Sequence, residues 1–302
     1  MIGAEAVFAR YEEIRPRLPE AGKGGACVAV GGLADLAGRA DVFVFDAYGV
    51  LNVGSLPIAG APEAVAMLRG LGKRVFVLTN AASLNRAAMQ TKFAALGFDF
   101  APDEIVSSRD AALAALAGYR ETGLWGVIAD TGHLPDGLPL SRHHVLEDDP
   151  APYAAVDAFL FLGADRWSDT RQELLRRALG RHPRPLIVGN PDLVSPREEG
   201  LFREPGWYAH AIADSCPAVI PALHGKPYPS VYDLLMARLP ADQPRERILM
   251  LGDTLHTDIL GARSQGWQAG LVTGHGLFAG QDVAPFIRRS GIRPDWIMPR
   301  IG

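Results

Sequence analysis

Residues 42–45, Val-Phe-Val-Phe, form an unbroken apolar run that stops on Asp46 and is followed by Tyr48 and Gly49. Short continuous runs of β-branched and aromatic residues read as strands buried on both faces, the condition of a parallel sheet. In open α/β sheets the crevice at the carboxyl ends of the strands takes the ligand. The run therefore delivers a carboxylate to a binding edge. The same pattern recurs: Val75-Phe-Val-Leu78 ends in Thr79-Asn80, and Ile248-Leu-Met-Leu251 ends in Gly252-Asp253. Between the first two runs, Ala64, Val65, Leu68 and Leu71 fall at helical spacing, and residues 84–96 read as a second helix closed by Gly97. Strand–helix–strand alternation predicts right-handed crossovers and an α/β fold with a parallel sheet.

A chain of 302 residues exceeds one typical domain. The middle third repeats the alternation, with helix 110–119, strand 126–129, strand 158–162, helix 174–179 and a strand at 186–188 that ends in Asn190-Pro191-Asp192. A polar stretch with His143, His144, Glu147 and Asp148 matches no metal-ligand spacing and reads as a solvated loop. Asp165 and Arg166 follow a strand end, placed to touch a substrate. His224-Gly225-Lys226-Pro227 opens a further helix, and residues 269–272 read as the final strand. Before Asp41, residues 4–15 form a short amphipathic helix, and Gly31, Gly32 and Gly38 miss the G-x-G-x-x-G spacing of a dinucleotide site.

A net charge of −4 supplies no polyanion-binding field and argues against nucleic-acid partners. Cys27 and Cys216 form no metal or redox pattern. The N-terminus lacks an apolar signal core and no apolar run has membrane-spanning length, so a cytoplasmic protein without membrane contact is expected.

Four strand ends or turns present polar groups: Asp46, Thr79-Asn80, Lys226, and Asp253 with Asp258. If their strands are neighbours, carboxylates and waters make a hard-oxygen site suited to Mg²⁺. A hydroxyl, backbone N–H groups and an ammonium make a phosphate site. A carboxylate beside both is placed to attack phosphorus. The order Asp-x-x-Gly-Val-Leu, Thr-Asn, Gly-Lys-Pro and Gly-Asp-(x)4-Asp resembles the haloacid dehalogenase superfamily, subfamily IIA, of the p-nitrophenylphosphatase-like kind. Thr79-Asn80-Ala-Ala-Ser83, Asn190-Pro191-Asp192, Lys226-Pro-Tyr-Pro and Pro294-Asp-Trp-Ile agree with it.

The resemblance implies a Rossmann-like parallel-sheet core over 41–100 and 222–302, a large inserted α/β cap over 101–221, and an N-terminal extension, 1–40, packing on the core. It implies Asp46 as nucleophile and metal ligand, Asp253 as second ligand, and Asp258 on metal-bound water or Lys226. Thr79 and Asn80 would hold the phosphoryl oxygens, Lys226 would neutralise charge, and Asn190, Asp192, Asp165 and Arg166 of the cap would read the leaving group. The implied activity is Mg²⁺-dependent hydrolysis of a small phosphorylated metabolite through an aspartyl-phosphate, in a chain that forms a homodimer through its cap.

The departure is Tyr48, where the family carries a second Asp as general acid and base. By the resemblance, its backbone carbonyl can still serve the metal, as that position does in the family. Proton transfer is typically worth about 10²–10⁴-fold, and a phenol, ordinarily near pKa 10, donates a proton but is a poor base at neutral pH. Turnover limited to good leaving groups is one expectation, with His224 and His256 as candidate substitutes. A non-catalytic phospho-ligand-binding or regulatory protein on the same scaffold is the other.

Overall fold

The computed structural model describes residues 2–119, 123–129 and 138–302. Its larger sheet has seven parallel strands in the spatial order Val28–Ala29, Trp296–Met298, Gln268–Val272, Ile248–Gly252, Val42–Phe45, Arg74–Thr79 and Ile105–Ser107. Successive side chains of a strand point to opposite faces, and here both faces are covered. Val42, Val44, Phe76, Leu78, Ile248 and Met250 enter one apolar cluster. Phe43, Phe45, Val75, Val77, Leu249 and Leu251 enter another. This double burial is why the strands read as continuous apolar runs.

A smaller sheet of five parallel strands runs Ala222–Leu223, Leu186–Val188, Ala158–Phe161, Trp125–Ile128 and His143–Val145. One of its helices starts on a side-chain cap: Ser168 Oγ accepts from Arg171 N at the head of helix Asp169–Arg181. Among the described residues no helix is long and apolar enough to cross a membrane.

Several expectations need correction. The exchange between sheets falls later than residue 101, because Ile105–Ser107 pairs with the end of Arg74–Thr79. The return falls just past residue 222, because Ala222–Leu223 pairs with Leu186–Val188 in the smaller sheet. His143–Val145 is an edge strand rather than a loop, its backbone paired with Trp125–Ile128. Gln268–Val272 is followed by one more strand, Trp296–Met298. The first forty residues supply the edge strand Val28–Ala29 and the helix Ala4–Glu13, whose Val7, Phe8 and Tyr11 are fully buried in the first cluster.

Two short hairpins complete the frame, Asn52–Val53 with Leu56–Pro57 and Val194–Arg197 with Gly200–Arg203. They meet where Glu198 Oε1 accepts from Ser55 N at 2.8 Å and from Ser55 Oγ at 2.9 Å.

Candidate active site

Strands Ile248–Gly252, Val42–Phe45 and Arg74–Thr79 are adjacent and parallel, so their carboxyl ends share one edge. Asp46 lies one residue past the central strand, and its N–H continues the ladder by donating to Leu251 O at 2.9 Å. Asp253 lies one residue past its neighbour, and Thr79 ends the other. The strand after Asp41 thus carries its carboxylate to where chain direction across the sheet reverses.

Lys226, 1% exposed, ties the site together. Its ammonium stands 2.6 Å from Asp46 Oδ1 and donates to Asp258 Oδ1 at 2.7 Å. Asp258 is itself fully buried, and its Oδ2 accepts from Thr254 N at 3.0 Å. Burial alone would lower the Lys226 pKa, but the Asp258 and Asp46 carboxylates outweigh it and hold the ammonium protonated. The Asn80 side chain clamps the Lys226 backbone: Oδ1 accepts from Lys226 N at 2.7 Å and Nδ2 donates to Lys226 O at 2.9 Å. The same Nδ2 reaches Asp192 Oδ1 at 2.8 Å, so the clamp spans both sheets. Gly225, at φ +127°, leaves room for it; a Cβ there would stand 2.5 Å from Asn80 Oδ1.

Carboxylate oxygens of Asp46, Asp253 and Asp258 lie within 4.8 Å of one another. Burial raises the pKa of Asp46 and of Asp253, and the neighbouring carboxylates add to it. Three carboxylates, those of Asp253 and Asp258 buried and that of Asp46 partly so, beside one ammonium leave negative charge that a hard divalent cation would offset. The donor set fits Mg²⁺. Asp258, however, spends one oxygen on Lys226 and the other on Thr254 N, and it does not line the open cavity.

That cavity has a volume of about 620 Å³ and lies between the two sheets. Asp46, Tyr48, Thr79, Asn80 and Asp253 line its floor, and Asp165, Asn190 and Asp192 line the opposite side. Arg166, expected beside Asp165, is not among the described lining residues; its carbonyl accepts from Arg171.

The two candidate histidines lie elsewhere. His224 Nδ1 pairs with Ser230 Oγ at 3.1 Å. His256 is fully buried, stacked on Tyr11 with centroids 4.8 Å apart, and its Nε2 meets Glu12 Oε1 at 2.5 Å. Neither lines the cavity among the described residues. Burial outweighs the Glu12 contact and lowers the His256 pKa to about 4 from 6.5. The unfolded chain therefore takes up a proton below about 6.5 that the folded chain refuses until about 4. Folding stability is expected to fall as pH drops through that window. A plot of Tm against pH checks this, with a shallower acid slope in His256→Gln than in the wild type.

Sequence reasoning missed several lining residues. Tyr11 comes from the N-terminal helix, and Ser195, Arg197 and Glu204 come from the second hairpin and the residue after it. Glu204 is buried, which raises its pKa to about 7, and it accepts from Ser195 Oγ at 2.5 Å and from Asn190 Nδ2 at 3.0 Å. Arg197 bonds both Asp165 and Glu204. Lys92, from helix Arg86–Ala95, donates to the Tyr48 hydroxyl at 2.9 Å. The one available signal was Pro196-Arg-Glu-Glu-Gly200, a turn between two short β-prone runs.

Comparison with known proteins agrees with this geometry. Residues 43–134 match the family model of haloacid dehalogenase-like hydrolases, and residues 223–302 match a HAD-hydrolase-like model. The glycerol-3-phosphate phosphatase of Gallus gallus is 30% identical, the match covering 86% of this chain and 89% of that protein. The chain belongs to the haloacid dehalogenase-like hydrolases. Within them it falls in subfamily IIA. The D-glycerol 3-phosphate phosphatase of Mycobacterium tuberculosis is 27% identical over 78% of this chain, a match that spans 63% of that protein's length. A glycerol phosphate phosphatase from the same organism, solved in complex with magnesium, superposes with a TM-score of 0.64 at 23% identity, covering 89% of this chain and 77% of that one.

Proposed function

We propose that this hydrolase is a Mg²⁺-dependent phosphatase that transfers the phosphoryl group of a small phosphorylated metabolite to Asp46 and then to water. The observation that carries the proposal is the shared ammonium: Lys226 stands 2.6 Å from Asp46 and 2.7 Å from Asp258. Asp46 Oδ1 is taken by Lys226 and by Ala47 N, at 2.7 Å, so Oδ2 is the candidate nucleophile. Thr79 and the backbone beside Asn80 would hold the phosphoryl oxygens, and Lys226 would neutralise charge that develops on them. Asp46, Asp253 and the Tyr48 carbonyl would hold Mg²⁺, with Asp258 acting on Lys226. Bound there, the ion would neutralise charge on the transferring phosphoryl group. The smaller sheet, its hairpin and the cluster of Asp165, Arg197 and Glu204 would surround the leaving group, in keeping with a cap that reads substrate.

Hydrolysis of an aryl phosphate by the full chain is expected with Mg²⁺ and lost on chelation with EDTA, returning when Mg²⁺ is restored. A rate unmoved by EDTA would sink the metal assignment. Tyr48 in place of a carboxylate favours a second reading, a binder of phosphorylated ligands that does not turn them over. That reading predicts Mg²⁺-dependent thermal stabilisation by phosphate esters with no phosphate released across a broad panel.

A further inference from the structure

Two separate supports hold the Lys226 ammonium beside Asp46. The Asn80 side chain clamps the Lys226 backbone and reaches Asp192 Oδ1 at 2.8 Å. Asp258, carried on the turn Leu255–Ile259, takes the ammonium itself at 2.7 Å. Tyr11 touches the far side of both. Its hydroxyl accepts from Leu193 N at 3.2 Å, one residue past Asp192. Its ring lies parallel to that of His256, at an interplanar angle of 3°, and His256 belongs to the turn that carries Asp258.

Tyr11 can serve both supports because helix Ala4–Glu13 is tied to both sheets' surroundings. On the side of the larger sheet, Phe8 packs edge-on against His256 and Phe286, and Glu5 pairs with Arg289 at 2.6 Å. On the side of the smaller sheet, Arg10 and Arg17 pair with Asp214 of helix Pro205–Ser215 at 2.5 and 2.7 Å. Leu193 leaves the smaller sheet, yet it is fully buried in the same apolar cluster as Val7, Phe8 and Tyr11. The ion pairs at the surface contribute little one by one. The bond from Leu193 N is different, because a buried N–H left without its acceptor is costly.

We propose that Tyr11 is a positioning residue for Lys226, and that the N-terminal helix is thereby a working part of the active site. Tyr11 acts through Leu193, Asp192 and Asn80 on the Lys226 backbone, and through the His256 turn on Asp258. The link to catalysis rests on the phosphatase reading, in which Lys226 neutralises charge developing on the phosphoryl group. The link to geometry does not.

Hydrogen exchange resolved to single amides tests the geometry without turnover. Tyr11→Phe keeps a ring on His256 and removes the acceptor from Leu193 N. Exchange at Leu193 is expected to rise about five- to tenfold, the size of one hydrogen bond, and exchange at Lys226 to rise with it. Leu249 and Leu251 of strand Ile248–Gly252 should stay within about twofold. A rise confined to Leu193 would overturn the proposal, since Lys226 would be unmoved. So would a rise shared equally by Leu249 and Leu251, which is a general loss of stability. If the variant does not fold, wild type in sub-denaturing guanidinium decides: Leu193 and Lys226 are expected to open together, and separate openings would contradict the proposal.

Kinetics reads the link to catalysis. With Mg²⁺ and an aryl phosphate, Tyr11→Phe is expected to lower kcat about five- to tenfold and to leave KM within about twofold, as for a group that acts on developing charge. An unchanged kcat would overturn the positioning role. So would a lower kcat with exchange at Lys226 unaltered, because the hydroxyl would then meet the ligand directly. An inactive wild type would count against the phosphatase reading and leave the exchange result to decide.

Discussion

Asp46→Asn is expected to lower turnover of an aryl phosphate by at least about 10³-fold, because an amide has no anionic oxygen with which to attack phosphorus. The folded protein should persist. The asparagine carbonyl can still accept from Lys226 and Ala47 N, the partners of Asp46 Oδ1. Burial and Asp258 already disfavour the charged form of Asp46, so removing that charge relieves the fold while it abolishes chemistry. Circular dichroism and Tm beside the initial rate separate the two effects. A variant that keeps its rate would mean that phosphorus is attacked from elsewhere.

Tyr48→Asp is the second large change, and its expected sign is a gain. A carboxylic acid at this position can protonate a leaving oxygen and then take a proton from water. Alkyl phosphates, whose leaving groups need that proton, should be hydrolysed about 10²–10⁴-fold faster, and aryl phosphates should gain less. The comparison of kcat for one alkyl and one aryl ester, wild type against variant, reads this directly. Equal gains on both esters would point to a change in binding, and no gain would show that proton transfer does not limit the scaffold.

The parts of the site visible in the sequence are those fixed by strand ends. Asp46, Thr79 and Asp253 each follow a continuous apolar run, and parallel neighbours put such ends on one edge whatever the loops do. Lys226 follows from the same logic because it opens the segment that returns to the large sheet. What was hidden depends on pairing across distance. Lys92 looks like any helix residue until Tyr48 is placed opposite it. Arg197 and Glu204 acquire a role only once the hairpin from Val194–Arg197 to Gly200–Arg203 folds over the cavity. The run from Cys27 reads as a brief strand before a glycine-rich turn, and Val28–Ala29 is that strand, but its place at the sheet edge comes only from the distant partner Trp296–Met298. His256 was assigned by proximity in sequence to Asp253 and Asp258, but the π-helical turn Leu255–Ile259 directs it to Glu12 and Tyr11.

A covalent phosphoryl group on Asp46 is the central claim, and chemical trapping tests it most directly. With no carboxylate at residue 48 to activate water, the second step should be the slower one and the intermediate should accumulate during turnover. Borohydride added during steady-state hydrolysis reduces an aspartyl-phosphate to homoserine, which mass spectrometry of the peptide spanning Val42–Phe45 and Asp46 will locate. Substrate- and Mg²⁺-dependent conversion of Asp46, and of no other carboxylate, is the expected result. Sustained turnover with Asp46 unmodified, or conversion at a different residue, would contradict it.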